Sequence, residues 1–407
     1  LPKVTKNVMI PVSTSDIQIN VLSIEQDEMD LGIIAPSKGV IMRDVNPEDI
    51  SYTFSSFYNA KGYNVYPQKY LEASNKFILR NLSGINLMIY PFQYNSATKM
   101  TTVLKEIVVE IKTLHNAKGV KLFNNKPFTQ SFVEIYQNRF VNFDELTKDI
   151  DPSHFVQETG GILIISHSNF LPYMMPFVNW KIQKGWNVEI VDVANIGSNY
   201  TKIKQYISDK YFSEGISHVI LVGDAEFVPY HVGKSGNAYG NEADPLYTTV
   251  DGNDSYPDLF VSRLSVQTVA DIQNVVNKII SYEKNPDQYG DWYSKASGIA
   301  SNEGYPTDAQ RAEILREMLE GYHYTYVDKI YAPYATTKMI TDALNEGRGF
   351  INYIGHGSKT AWVTGYFTNS DIDSLKNGNK LPFIVSVACV NGDFGSGGDA
   401  FAERWLK

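Results

Sequence analysis

The chain has 407 residues, a formal net charge of −9 at pH 7 and no long basic run, which argues against nucleic acid or an anionic membrane as partner. Hydrophobic residues make up 43% and aromatics 13%, enough for real cores in two or three domains and too much for a disordered chain. The longest apolar runs, such as Ile162–Ile165 and Val219–Val222, are strand-sized, so no membrane span is expected. The start at Leu1 lacks the apolar core of a signal peptide and is not a Met, so upstream residues are expected to have been removed. The single cysteine, Cys389, cannot form an internal disulfide and fits either a cytosolic chain or a secreted one whose thiol is kept for chemistry.

Residues 1–150 read as β. Strand-like segments are Met9–Val12, Ile17–Leu22, Phe77–Leu79, Ile85–Tyr90 and Glu106–Ile111, separated by turn residues as a β-sandwich or jelly roll requires. The polar stretch Pro91–Lys99 suits a hairpin or meander between the last two. From Gly160 the pattern alternates: strand Ile162–Ile165, helix Leu171–Lys184, strand Val188–Val193, helix Thr201–Tyr211, strand Val219–Gly223 and helix Thr268–Tyr282. Such alternation predicts a parallel sheet flanked by helices. The turn Asn285–Gly290 is the expected seam, dividing the second part into 151–290 and 291–407. The later half starts with a strand near Ala296–Ala300 and a helix from Asp308 to Leu319. No internal repeat is visible in the residues.

Two later apolar runs carry the chemistry. Gly349–Gly355 leads into His356-Gly357-Ser358, and Pro382–Ala388 leads into Cys389-Val390-Asn391-Gly392. Each has the length of a buried strand and breaks into small residues at its C-terminal end, the edge where open α/β sheets hold their sites. The helix Ser370–Lys376, stopped by Asn377-Gly378-Asn379, supplies the crossover between them. Taken singly, a lone Cys is a small apolar residue and a lone His a satisfied polar one. Delivered together to neighbouring strand ends, they make a nucleophile and base. The thiolate of Cys389 would attack a carbonyl, His356 would protonate the leaving amine, and backbone N–H groups of Gly357 and Cys389 would hold the oxyanion.

The segments Tyr353–Trp362 and Val387–Phe394 resemble the catalytic His and Cys motifs of the gingipain family of cysteine peptidases. Gly161–Ile165, Phe177–Lys181, Gly185, Leu221–Asp224, Gly252–Asp254, Phe260–Arg263 and Tyr282-Glu283 are similar to other parts of that catalytic domain. Residues 1–150, with Tyr90–Asn95, look like its inhibitory prodomain. The resemblance implies a caspase-like α/β fold, secretion or a cell-surface location, and cleavage of protein or peptide substrates after a basic residue. It places the acid that orients the imidazole at Glu303, with Asp254 and Asp258 as rivals. It places the carboxylate that reads a substrate arginine at Asp308, although Asp at a helix start would equally serve as an N-cap. No cofactor is implied for catalysis. Structural calcium is implied, and the stretches Asn241–Asp244 and Asp251–Asp254 are rich in oxygen donors, but they are not an EF-hand and no ligands are assigned.

The chain ends soon after Cys389, where the family's catalytic domains continue. The apolar face of a helix at Ala400–Leu406 is therefore expected to lack cover, and the C-terminal remainder of the precursor is the expected partner as a second chain. This polypeptide alone is expected to be an inactive zymogen, with a prodomain Lys or Arg plugging the specificity pocket (Lys99 and Lys105 are candidates) and Lys148 as the expected junction cut. A sortase-like transpeptidase of a bacterial secretion system and a non-catalytic binding protein on the same fold remain as alternatives.

Overall fold

The computed structural model describes every residue except 44, 60–63, 116–119, 125, 127, 149, 151–154, 157–159 and 235–238. The N-terminal module pairs two antiparallel sheets. One contains β1 (Val4–Ile10), β4 (Leu71–Ala73), β5 (Phe77–Leu79) and β6 (Leu82–Ile89); the other contains β2 (Thr14–Met29), β3 (Val65–Tyr66), β7 (Phe92–Asn95) and β8 (Thr101–His115). Period-two alternation sets the layers. Val8, Ile10, Ile85 and Leu87 face Ile17, Ile19 and Ile111 of the other sheet, whereas Met9 and Leu82 face the opposite way. That second face is covered by helices the sequence reading did not anticipate, α1 (Gln130–Arg139) and α2 (Phe143–Thr147). Phe132, Val133, Tyr136 and Phe140 recur at helical spacing and are all buried there. A short parallel pair, β9 (Phe128–Thr129) with β10 (Phe155–Val156), follows the same region.

The second part holds two parallel sheets. The first joins β11 (Gly161–Ser166), β12 (Asn187–Asp192), β13 (His218–Val222) and β14 (Phe260–Leu264) in the order β12-β11-β13-β14. Ile162 and Ile164 pack against α3 (Leu171–Gln183) and α6 (Val269–Lys284), while Leu163 and Ile165 pack against α5 (Tyr200–Glu214); a single turn, α4 (Val193–Ile196), follows β12. Burial on both faces explains why these strands read as unbroken apolar runs. The second sheet joins β15 (Lys295–Ala300), β16 (Tyr326–Tyr331), β17 (Phe350–Ile354) and β21 (Phe383–Val387) in the order β16-β15-β17-β21. Both sheets thus follow the same order of second, first, third, fourth strand, a duplication of topology that no sequence repeat announces.

Helix α7 (Asp308–Gly321) lies beside β15, β16 and β17, and α8 (Thr337–Glu346) packs on the other core face. A small antiparallel sheet of β18 (Gly357–Ser358), β19 (Ala361–Trp362) and β20 (Phe367–Thr368), then α9 (Asn369–Asp373), fills the β17-to-β21 crossover. The terminal helix α10 (Phe401–Leu406) is not left uncovered. Phe401 is buried in the second core, Trp405 stacks on Phe367 with centroids 5.8 Å apart, and Leu406 packs against the first core. The covering rings come from β19 and β20, far enough along the chain that the local pattern gave no sign of them. Among the described residues, no helix is long and apolar enough to cross a membrane.

Candidate active site

The strand register brings the sequence-derived pair together. Ile354 of β17 is paired with Val387 of β21, so His356 and Cys389 each leave the sheet two residues beyond matched positions. Ile354 is also paired with Ala300 of β15, which leads directly to Ser301 and Glu303. Three adjacent strands therefore release a thiol, an imidazole and a carboxylate at one sheet edge. His356 Nε2 lies 2.6 Å from Glu303 Oε2, with both side chains partly exposed. This contact commits Nε2 to the acid and leaves Nδ1 as the ring nitrogen available to another partner. Cys389 is a free, exposed thiol.

The two loops are held backbone to backbone. A Cβ on Gly357 would come within 2.6 Å of the Cys389 carbonyl oxygen and 2.8 Å of Ala388 Cβ, so only glycine allows this approach. Asn391, almost wholly buried, donates from Nδ2 to the carbonyls of Ser358 at 2.6 Å and Ala361 at 3.1 Å. Its Oδ1 accepts from Ser386 Oγ at 2.9 Å, and that hydroxyl accepts from Trp362 Nε1 at 2.9 Å. Tyr353 stacks on Trp362 at 4.6 Å and donates its hydroxyl to the His356 carbonyl at 2.6 Å. Val390, next to the thiol, has φ +52°, an uncommon conformation for a β-branched residue and a sign that the turn is imposed by its surroundings. Tyr353, Trp362, Ser386 and Asn391 received no role from the sequence; their contacts are tertiary, and only their nearness to the motifs could have flagged them.

Asp308 sits behind Glu303 with no solvent exposure. It is not the helix N-cap: Thr307 is, in a capping box with Gln310, and Asp308 is the first residue of α7. Its backbone N–H donates to the Glu303 carbonyl at 2.8 Å. Ser301 Oγ donates to Asp308 Oδ2 at 2.6 Å and accepts from the Glu303 N–H at 3.2 Å, tying the two acids into one loop. Arg311 Nη1 is 3.3 Å from Oδ1, and the guanidinium of Arg43, from the N-terminal module, is paired with Oδ2. Lys99 and Lys105 do not reach this carboxylate. Lys99 donates to the Tyr58 carbonyl at 2.8 Å and Lys105 pairs with Asp27 at 2.6 Å, both inside the N-terminal module.

The rival acids are engaged elsewhere. Asp254 Oδ2 accepts the Ile78 N–H at 2.8 Å, and Asp258 accepts the N–H groups of Arg80, Val250 and Asp251. Burial pushes the Asp258 carboxyl up to about 6. In the oxygen-rich stretch considered for calcium, Asp244 is bidentate to Arg263 and Glu242 accepts the Gly395 N–H at 2.6 Å. Among the described residues, no group of three or more His, Cys, Asp or Glu side chains is arranged to hold a metal.

Comparison with known proteins finds relatives along the whole chain. The profile of peptidase family C25 matches residues 156–407, and that of the C25 propeptide matches residues 1–150. Gingipain R2 of Porphyromonas gingivalis is 34% identical over 419 aligned residues, covering 100% of this chain and 55% of the relative. The chain thus spans about half the length of the curated relative it matches. The crystal structure of the Arg-specific cysteine proteinase gingipain R superimposes with a TM-score of 0.58 at 34% identity, over 62% of this chain and 60% of that one. A complex of the pro- and mature domains of Porphyromonas gingivalis RgpB gives a TM-score of 0.58 at 35% identity, over 61% and 60% of the two chains. The chain belongs to peptidase family C25 and carries that family's propeptide ahead of the caspase-like part.

Proposed function

We propose that this chain is the latent form of a secreted or surface cysteine endopeptidase that cleaves protein or peptide substrates after arginine. Residues 1–150 are its inhibitory prodomain, and 151–290 and 291–407 are the two halves of its catalytic part. Cys389 is the nucleophile. His356 takes its proton and returns it to the leaving amine, while Glu303 holds the imidazole through Nε2 and stabilises its cationic form. The N–H groups of Gly357 and Cys389 receive the oxyanion.

Arginine preference rests on Asp308. A buried carboxylate needs a cationic partner, and a guanidinium offers charge together with paired donors. The observation that carries the reading is the pairing of Arg43 with Asp308 beside the Glu303–His356 contact. Arg43 acts as a product-like plug, supplying the side chain that a substrate would place there. The match of residues 156–407 to peptidase family C25 supports a peptidase.

The test is turnover of peptidyl-arginine and peptidyl-lysine amides after excision of residues 1–150, with and without an added amine. Hydrolysis favouring arginine supports the proposal. Transfer of the acyl group to the amine in preference to water would point to a transpeptidase, and no turnover with an unreactive Cys389 would point to a binding protein.

A further inference from the structure

Arg43 is not the only guanidinium that the N-terminal module buries against the catalytic part. Arg80, in the turn joining β5 to β6, is 1% exposed and adopts φ +48°. Its Nη1 donates to the carbonyls of Ile216 at 2.9 Å and Asp258 at 3.3 Å, and its Nη2 to that of Gly215 at 3.0 Å. Its backbone N–H donates to Asp258 Oδ1 at 2.9 Å. Gly215 caps α5 in the left-handed conformation, so the guanidinium meets carbonyls at the negative end of a 15-residue helix. The ring of Phe132 lies 4.7 Å from the guanidinium carbon, and that of Tyr211 lies 5.6 Å away. Around this socket, Ile78 N–H bonds Asp254, Phe77 stacks on Tyr256 with centroids 4.4 Å apart, and Lys126 Nζ sits 3.9 Å from the Tyr211 ring centre.

The socket belongs to a different place in the fold from the catalytic groups. Gly215, Ile216 and Asp258 precede β13 and β14, at the N-terminal ends of the first sheet. Glu303, His356 and Cys389 follow β15, β17 and β21, at the C-terminal ends of the second. The two arginines also differ in exposure: the Arg43 side chain is 38% exposed overall, although its Nε and Nη2 are buried, whereas Arg80 is almost wholly desolvated. Desolvated arginines at the centre of an interface dominate its energetics.

We propose that the Arg80 socket is an exosite that holds the prodomain on the catalytic part independently of the Arg43–Asp308 contact. This rests on the reading of residues 1–150 as a prodomain. The partner the surface fits is a strand turn presenting a guanidinium to the C-terminus of α5, with a main-chain N–H for Asp258. Inhibition is then bivalent. The socket supplies affinity, the Arg43 arm supplies occlusion, and docking through the first raises the local concentration of the second. A cut beside Arg43 would open the active site and still leave the prodomain attached.

The test uses the full chain with Cys389→Ala to prevent self-cleavage and a site for a sequence-specific protease inserted near residue 150. After nicking, the dissociation constant of the two parts is measured by native mass spectrometry for the parent, Arg43→Ala, Arg80→Lys and Asp258→Asn. The expected result is at least about 30-fold weaker association for Arg80→Lys and a loss in the same direction for Asp258→Asn, against less than about 10-fold for Arg43→Ala. Amide exchange in β11 and β13 of the un-nicked chains identifies a variant that has misfolded, and the other socket variant then decides. Parental association in whichever socket variants fold, or separation caused by Arg43→Ala alone, would overturn the proposal. Because the readout needs neither turnover nor the thiol, it stands or falls separately from the peptidase reading.

Discussion

Arg43 of the N-terminal module is ion-paired to Asp308, a carboxylate with no solvent exposure on the catalytic part. An unpaired buried carboxylate is costly, so this contact stabilises the chain as it stands and, on the proposed reading, keeps the site ready for a substrate guanidinium. Arg43→Ala is expected to weaken latency without disturbing the fold. Alkylation of Cys389 by an arginyl chloromethylketone should speed up about 5-fold in the intact chain, since a contact to a buried charge of this kind contributes about a kilocalorie. Arg43→Lys should fall between, having one cationic nitrogen where the guanidinium has a fork.

Asp308→Asn should lower kcat/KM for arginyl substrates of the activated enzyme by about 10²-fold or more, because the neutral amide cannot pair with the guanidinium. The same change should affect substrates with an uncharged residue at that position far less. Equal losses on both would mean that Asp308 supports the loop of Ser301 and Glu303 and does not read the substrate.

Glu303→Gln keeps a hydrogen-bonding oxygen next to His356 Nε2 and removes the charge that favours the imidazolium. Turnover is expected to drop by about 10- to 100-fold. Unchanged turnover would show that the 2.6 Å contact has no part in the chemistry.

Asn391 links the His loop to the Cys loop through the carbonyls of Ser358 and Ala361. Replacing it with Ala strands two part-buried carbonyls and should cost about 1–2 kcal/mol of stability, measured by denaturant unfolding. Cys389 alkylation should also become less selective for the arginyl reagent as the loops separate.

His218 gives the fold a pH response unrelated to catalysis. Burial beside Trp186 and Phe260, with Arg80 and Lys181 nearby, lowers its pKa to about 4. The unfolded chain, with an ordinary imidazole near 6.5, then binds more protons than the folded one between those values. Stability should be fully present above about pH 6.5 and fall as pH drops toward 4, by at most about 3 kcal/mol from this residue. His218→Phe should flatten that part of the stability–pH curve.

The placement of Cys389 and His356 at neighbouring strand ends was legible because apolar runs and glycines announce strand ends. Phe77–Leu79 and three strands of the first parallel sheet, β11, β12 and β13, were legible for the same reason, being short apolar runs between clear breaks, whereas β14 was not read as a strand. Glu303 and Asp308 came from the family resemblance, since a loop acid carries no local sign of its partner. Arg43 was invisible: it lies in an irregular stretch whose docking depends on a carboxylate more than half the chain away. Helices α1 and α2 were missed because Phe132, Val133, Tyr136 and Phe140 were read within a β-rich stretch. The cover of α10 was missed because Trp362 and Phe367 reach it only through tertiary packing.

The most direct measurement is mass-spectrometric labelling of Cys389 by arginyl and lysyl chloromethylketones, in the intact chain and after removal of residues 1–150. Slow labelling of the intact chain, fast labelling after removal, and preference for the arginyl reagent that disappears in Asp308→Asn is the result expected here. Equal labelling before and after removal, or a preference for the lysyl reagent, would contradict the assignment of Arg43 and Asp308 as plug and pocket.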